Sequence, residues 1–200
     1  MNIHNTIKSH IETLAAGEII TPKALLPFGS REAVDQVLSR LSKEGLISRV
    51  SRGVYCKPIP GRWGSYLPEA FAIAKSLSEL HGEVIAPHGA VAVNYFQLST
   101  QNPLQLVLLT TGRSKTAKLG WQTVRFQHVA ASKLPAPNTL AGLAVTALHY
   151  LRENREVTAE NVKTIGKQLP LEERQRLQEL IPQLPSWMTR ALIEAKVLHA

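Results

Sequence analysis

The stretch that most constrains this fold runs from residue 30 to residue 45, where an amphipathic segment has a start signal and a stop signal. Ser30 is a favoured helix-capping residue, and Glu32 follows near the positive end of the helix dipole. Gly45 suits the left-handed conformation that ends many helices. The apolar positions in between form one stripe at helical spacing: Ala33, Val34, Val37, Leu38 and Leu41. The segment is predicted to be a helix that packs on one side only.

A hairpin and two shorter elements flank this helix. Residues 46–50 and 54–56 are predicted strands, joined by a tight turn at 51–53. Upstream, residues 2–15 carry apolar side chains at helical spacing, and Thr21 followed by Pro22 marks the start of a brief second helix. The order of helix, short helix, capped helix and hairpin is that of a winged helix-turn-helix over residues 1–58.

The outward side chains of the capped helix are polar or basic, as expected of a helix that enters the DNA major groove. Arg31, Gln36 and Arg40 are predicted to read base edges from one face, and Arg52 to reach a minor groove from the hairpin tip. Other cations are better placed for phosphates. The residues predicted to contact DNA are Lys23, Ser30, Arg31, Gln36, Ser39, Arg40, Lys43, Arg49 and Arg52. The carboxylates of Glu32 and Asp35 count against DNA binding by this helix, because they would repel the phosphates of the DNA backbone.

The rest of the chain predicts a second domain. Proline and glycine punctuate residues 59–68, which are interpreted as a linker, and residues 69–200 as a mixed domain with a helical tail from about residue 139. A helix is expected over 69–81, strands over 84–86 and 104–110, and a hairpin over 115–127. The tail is predicted to contain helices at 139–153, 158–168, 171–181 and 186–198. The predicted fold class is α+β.

The charge pattern favours a polyanionic partner. The chain has a formal net charge of +8, and residues 84–152 hold six basic side chains and no acidic one. A second basic surface is predicted on the central hairpin, with Trp121 and Phe126 between its cations: Arg113, Lys115, Lys118 and Arg125. Aromatic rings among cations can stack on bases. The alternative is that both rings belong to the core.

Several classes of activity are disfavoured. Asp35 is the sole aspartate, so the central block lacks the clustered carboxylates of metal-dependent phosphoryl chemistry. His88, His128 and His149 are interpreted as too scattered for a metal site, although His88 precedes a helix where it could meet an anion. A phosphate loop at 112–116 lacks its first glycine. No enzyme activity, metal or cofactor is expected.

The surroundings of the protein are also predicted. The N-terminal residues have no hydrophobic signal core, and no apolar run reaches the roughly 18 residues of a membrane span. The lone cysteine, Cys56, has no internal disulfide partner. A cytoplasmic protein without membrane contact is expected.

Two parts of the sequence resemble known families. Residues 30–41, SREAVDQVLSRL, and 45–55, GLISRVSRGVY, are similar to the N-terminal winged helix of AbiEi-type antitoxins of type IV toxin–antitoxin systems. The segments PHGAVA at 87–92, LSTQNP at 98–103 and TTGRSK at 110–115 resemble a related antitoxin-like family. The resemblance implies a repressor that binds inverted repeats in double-stranded operator DNA. It also implies a nucleotidyltransferase-like toxin partner, which need not be bound directly.

Two hypotheses follow from these patterns. The first is a transcriptional regulator that represses its own toxin–antitoxin operon, with a homodimer suited to a palindromic site. The second is a protein-interaction module that neutralises a toxin, with DNA binding incidental. Charge reversal at Arg31 and Arg40 separates them, because only the first hypothesis requires these side chains for DNA binding.

Overall fold

The computed structural model describes residues 2–100 and 104–198 and has an α+β fold. The chain divides into two compact units, Met1–His81 with Ala117–Val124, and Gly82–Thr116 with Arg125–Ala200. This differs from the predicted boundaries at 58 and 69, because residues 59–81 and part of the central hairpin group with the N-terminal elements. The end of the segment 98–103, at Gln101, Asn102 and Pro103, lies outside the described residues.

Two helices and a 3-10 turn form the first part of unit 1. Helix α1 is Ile3–Thr13, with Asn2 as its cap, and a 3-10 segment at Pro22–Phe28 follows. Helix α2 is Arg31–Lys43. The predicted second helix is therefore a tighter 3-10 turn, and Thr21 makes no capping hydrogen bond to it. The buried side chains of these elements meet in one core: Ile7, Ile11, Ile20, Leu25, Val34, Val37, Leu38, Leu41, Ile47 and Tyr55.

A three-stranded antiparallel sheet completes this core. Its strands are β1 at Ile19–Ile20, β2 at Ser48–Ser51 and β3 at Val54–Cys56, in the order β1-β3-β2. Strand β2 starts two residues later than the predicted strand. Ile19 of β1 pairs with Cys56 of β3. The segment between α1 and α2 therefore lies beside the hairpin that follows α2.

The predicted linker is folded. Backbone hydrogen bonds of 2.9 Å run both ways between Ile59 and Tyr66, closing a small loop. A side chain at Gly17 would meet Ile59 and Pro68 at 3.3 Å, so this segment packs closely on the loop after α1. Helix α3, Ala70–Leu80, follows it. These local contacts explain why residues 59–81 belong to unit 1.

A second sheet has the strand order β4-β5-β7-β6. Its strands are Ile85–Pro87 (β4), Leu106–Thr110 (β5), Lys115–Leu119 (β6) and Gln122–His128 (β7). The predicted hairpin turns at Gly120 and Trp121. The tip of this hairpin, 117–124, is the part grouped with unit 1.

Helices bury most of the apolar surface of unit 2. They are Gly89–Tyr95 (α4), Leu140–Glu153 (α5), Ala159–Gln168 (α6), Leu171–Glu179 (α7) and Ser186–Glu194 (α8). Thr139 and Thr158 cap α5 and α6, and Ser186 is the first helical residue of α8. At Gly89 a side chain would lie 2.3 Å from Tyr150, so glycine allows α4 to approach α5. Within residues 2–100 and 104–198, no helix combines the length and apolarity needed to cross a bilayer.

Candidate nucleic-acid interface

Helix α2 presents its polar side chains to solvent because its apolar stripe is buried. The Ser30 hydroxyl accepts a hydrogen bond of 3.3 Å from the Ala33 N–H, which confirms the predicted cap. Val34, Val37, Leu38 and Leu41 are fully or almost fully buried, whereas Ala33 is half-buried at the edge of the stripe. All nine residues predicted to contact DNA are exposed: Lys23, Ser30, Arg31, Gln36, Ser39, Arg40, Lys43, Arg49 and Arg52.

The exposed side chains of α2 do not all share one face. Gln36 and Arg40 are four residues apart and lie about 40° from each other around the helix axis. Arg31 and Arg40 are nine residues apart, which places them about 180° from each other. The prediction that Arg31, Gln36 and Arg40 share one face is therefore corrected. Arg31 lies on one flank of the exposed surface, and Arg40 lies on the other.

Arg31 is also engaged by a neighbouring carboxylate. Its Nε donates a hydrogen bond of 2.8 Å to Oδ2 of Asp35, one turn further along α2. Both side chains are about half exposed, so the pair is in contact with water. The Gln36–Arg40 face has no such partner in the described chain, which makes it the stronger candidate for contact with DNA bases.

The β2–β3 hairpin carries two more exposed arginines. Arg49 lies opposite Tyr55, and the register shifts between Arg49 and Ser51, which marks a bulge on β2. Gly53 has a φ of 69°, a left-handed conformation that glycine adopts without strain. Arg52 sits beside it in the turn and is exposed. Its guanidinium is therefore at the tip of the hairpin, as predicted.

Most of the predicted cations are free of ion pairs. In the described part of the chain, salt bridges involve only five pairs of residues. The cations of the candidate interface that take part in none of them are Lys23, Arg40, Lys43, Arg49 and Arg52. A cation without a carboxylate partner has its full charge available to a phosphate.

Lys57 has a structural role that the sequence analysis did not identify. Its Nζ donates hydrogen bonds to the carbonyls of Glu12 and Leu14, at 2.7 Å and 2.6 Å. These carbonyls lie at the C-terminal end of α1, where helix carbonyls lack partners and a cation is favourable. The contact spans more than 40 residues of sequence, so local patterns do not reveal it.

The cations of the second predicted basic surface fall into two units. Lys118 belongs to unit 1, whereas Arg113, Lys115 and Arg125 belong to unit 2, although all four are exposed. Lys115 is 3.6 Å from Glu83 and 5.3 Å from the ring of Phe126, so it has partners within unit 2. The two aromatic residues differ, because Phe126 is buried in the core while Trp121 is 83% exposed.

Comparison with known proteins places the chain in one family. Residues 6–177 match the model of a family of unknown function, DUF6088. The chain belongs to the DUF6088 family. No curated protein matches its sequence. A crystal structure of the RV2827C protein from Mycobacterium tuberculosis is similar at 13% sequence identity and a TM-score of 0.43, over 100% of this chain and 83% of that one.

The second unit of this DUF6088 member brings together histidines that are far apart in sequence. His88, His128 and His149 all line one cavity of about 280 Å³, with Lys133 and Glu153. They meet because β7, α4 and α5 converge at this cavity. Among the described residues, no three histidine, cysteine or acidic side chains are arranged to hold a metal ion.

His88 is placed differently from the expectation of an anion at its helix. Its Nδ1 accepts a hydrogen bond of 3.2 Å from the Ala90 N–H, so the imidazole itself caps α4. Burial lowers the pKa of His88, whereas Glu153 raises it and Arg125 lowers it further.

Residues 112–116 do not form a phosphate-binding loop before a helix, since strand β6 begins at Lys115.

Proposed function

We propose that this chain is a DNA-binding transcriptional regulator that contacts duplex DNA through α2 and the β2–β3 hairpin. The observation that most supports DNA binding is the exposed face of α2 with Gln36 and Arg40, which lies beside cations that form no ion pair among the described residues. A helix of about 13 residues with a polar outer face fits the major groove, and glutamine and arginine there pair with adenine and guanine.

The arrangement of unit 1 supports a winged helix-turn-helix. The 3-10 segment at Pro22–Phe28 precedes α2 as the first helix of the motif precedes the recognition helix. Strand β1 pairs with β3, and β2 and β3 form the wing, with Arg52 at its tip. In this assignment Lys23, Lys43 and Arg49 contact phosphates, and Arg52 enters a minor groove.

The test is a pair of charge-reversal variants with a matched control. Arg40→Glu and Arg52→Glu should each weaken binding to duplex DNA by tenfold or more, since each change removes an attraction and adds a repulsion. Arg190→Glu alters an exposed arginine of α8 in unit 2 and is expected to have little effect. Fluorescence anisotropy with a labelled duplex measures all three. Equal losses for all three variants would indicate nonspecific attraction and contradict the assignment.

The antitoxin role is a narrower proposal, supported by the resemblance of residues 30–41 and 45–55 to AbiEi-type antitoxins. It predicts that the chain represses the promoter of its own operon and that a neighbouring gene encodes a nucleotidyltransferase-like toxin. A reporter driven by that promoter should be repressed by the natural chain but not by Arg40→Glu. Growth rescue in cells that express the neighbouring gene tests toxin neutralisation separately. The same assay tests the alternative hypothesis, that the chain is a protein-interaction module that neutralises the toxin.

A further inference from the structure

The tip of the β6–β7 hairpin, residues 117–124, adds a segment to the surface of unit 1 beside the β2–β3 hairpin. The Gly120 N–H donates a hydrogen bond of 2.9 Å to the carbonyl of Val50 in β2, which is an edge strand of its sheet. Strand β2 also carries Arg49, and Arg52 follows in the turn. The tip therefore lies next to the two hairpin arginines that are proposed to contact DNA.

Two contacts anchor this tip. Leu119 is buried, and a side chain at Gly120 would lie 3.3 Å from Leu67, so the chain packs closely there. Gly120 has a φ of 61°, a left-handed conformation that glycine adopts without strain. Trp121 follows directly and is 83% exposed. An anchored turn thus holds a large aromatic side chain out in solvent.

Lys118 and Trp121 are the exposed side chains with binding chemistry at the tip. Lys118 forms no ion pair among the described residues. Tryptophan is highly buried on average, and its indole combines an apolar ring with an N–H that can only donate a hydrogen bond. A partner for both side chains therefore needs acceptor atoms and an apolar face. The sugar–phosphate backbone of DNA has both, in its phosphate oxygens and its deoxyribose rings.

The charge around the tip favours a polyanion. Residues 45–68 and 117–124 contain no aspartate and no glutamate. Arg49, Arg52 and Lys118 are exposed and free of ion pairs in the described part of the chain. Each of them lies within two residues of the hydrogen bond between the tip and β2, so their Cα atoms fall within roughly 20 Å of one another. Three such cations complement the phosphates of one duplex.

We propose that the hairpin tip contacts the backbone of the same DNA duplex beside Arg49 and Arg52. Lys118 binds a phosphate, and Trp121 donates its indole N–H to a phosphate while its ring packs on the adjacent sugar. This inference rests on the proposed function, because it extends the same DNA-binding surface. Contacts to the backbone give affinity and position the protein, but they carry no base preference.

Fluorescence anisotropy with a labelled duplex tests two variants of the full chain. Lys118→Gln should weaken binding about threefold to tenfold and reduce the slope of log K against log salt by about one. Trp121→Ala should also weaken binding, but without changing the slope, because no charge is lost. Both side chains are exposed, so both variants are expected to fold, which circular dichroism checks.

Two exposed residues of the same types provide matched controls. Trp63 is 91% exposed in the loop over 59–66, and its ring already has a partner in Arg62, whose guanidinium carbon is 5.2 Å from the ring centre. Lys163 is exposed on α6 of unit 2. Trp63→Ala and Lys163→Gln are expected to have little effect on duplex affinity. Losses in these controls equal to those in the two tip variants would indicate nonspecific attraction and refute the proposal.

Arg40→Glu separates failure of this inference from failure of the proposed function. If Arg40→Glu weakens duplex binding while neither tip variant does, α2 binds DNA and the hairpin tip does not, which overturns the inference alone. If neither Arg40→Glu nor the tip variants change binding, the proposed function is wrong together with this inference.

Two-dimensional NMR of the indole N–H groups gives a direct readout in the unaltered chain, which has three tryptophans. The resonance of Trp121 should shift when duplex DNA is added, whereas those of Trp63 and Trp187 should stay in place. A Trp121 resonance that does not move at saturating duplex would overturn the proposal.

Discussion

Arg31 and Asp35 form an ion pair across one turn of α2, with Nε and Oδ2 2.8 Å apart. The two side chains are about half exposed, so the pair is expected to add only about 0.3–0.5 kcal/mol to the stability of the helix. The ion pair matters more for DNA binding than for stability, because the sole aspartate of the chain partly neutralises an arginine of the proposed DNA-binding surface. A guanine or a phosphate that binds Arg31 must therefore compete with Asp35.

Replacing Asp35 by asparagine should strengthen DNA binding. The change removes a negative charge near the phosphates and frees the guanidinium of Arg31, so we expect affinity for duplex DNA to rise about threefold to tenfold at low salt. Anisotropy titrations over a range of salt concentrations measure this. Glu32→Gln, in the first turn of the same helix, is the control for charge alone. A larger gain in Glu32→Gln than in Asp35→Asn would show that the ion pair is not what limits Arg31.

Gln36 and Lys43 are expected to separate base reading from phosphate contact. Gln36→Ala should change which base is preferred at one position of the operator, at a cost of about 1–3 kcal/mol for the preferred base. Lys43→Ala should weaken all sequences alike and reduce the slope of log K against log salt by about one. Selection from a randomised duplex pool, followed by salt titrations, distinguishes these effects. The assignment fails if Lys43→Ala alters the selected sequence while Gln36→Ala does not.

Loss of the helix cap at Ser30 should destabilise unit 1. Ser30→Ala removes the acceptor for the Ala33 N–H, and we expect the free energy of unfolding to fall by about 1 kcal/mol. Ser39→Ala is the matched control, since Ser39 is exposed within α2, where alanine is the better helix former. Urea denaturation followed by circular dichroism reports both variants. The cap would have no measurable role if the two variants were equally stable.

Cys56 should react slowly with thiol reagents in the folded protein. Its side chain is fully buried, and burial raises the pKa of the thiol, so less of the reactive thiolate is present at alkaline pH. We expect labelling near pH 8 to be slow in buffer and fast in guanidinium chloride. Because the folded state holds the proton more tightly, stability should fall as the pH rises above about 8.5, where the unfolded thiol ionises. Fast labelling of the native protein would contradict this burial.

Local patterns predicted α2 and its hairpin well, for a physical reason. A cap, a stripe at a 3.6-residue period and a left-handed glycine are all encoded within about 16 residues. The error about Arg31 arose from spacing alone: nine residues complete two and a half turns, which places the two arginines on opposite flanks. Strand β2 starts later than predicted because residues 46 and 47 still belong to the turn after α2, where the Leu46 N–H donates to the Leu41 carbonyl.

Contacts between distant segments were not predictable in the same way. His88, His128 and His149 meet because a strand and two helices converge, and nothing in their sequence spacing records that convergence. The sequence around Lys57 likewise does not distinguish it from an ordinary surface cation. Its partners, the carbonyls at the end of α1, are more than 40 residues away in sequence. The linker interpretation failed because proline and glycine mark a tight loop as readily as a flexible connection.

The tip of the β6–β7 hairpin affects how unit 1 can be made. Within that unit, the Gly120 N–H donates a hydrogen bond of 2.9 Å to the Val50 carbonyl of β2, so residues 117–124 contact the edge of the three-stranded sheet. A fragment that stops at His81 lacks this donor, so the Val50 carbonyl at its sheet edge is left to water. During synthesis, the N-terminal unit therefore reaches its final form only after the ribosome has translated well past its apparent boundary.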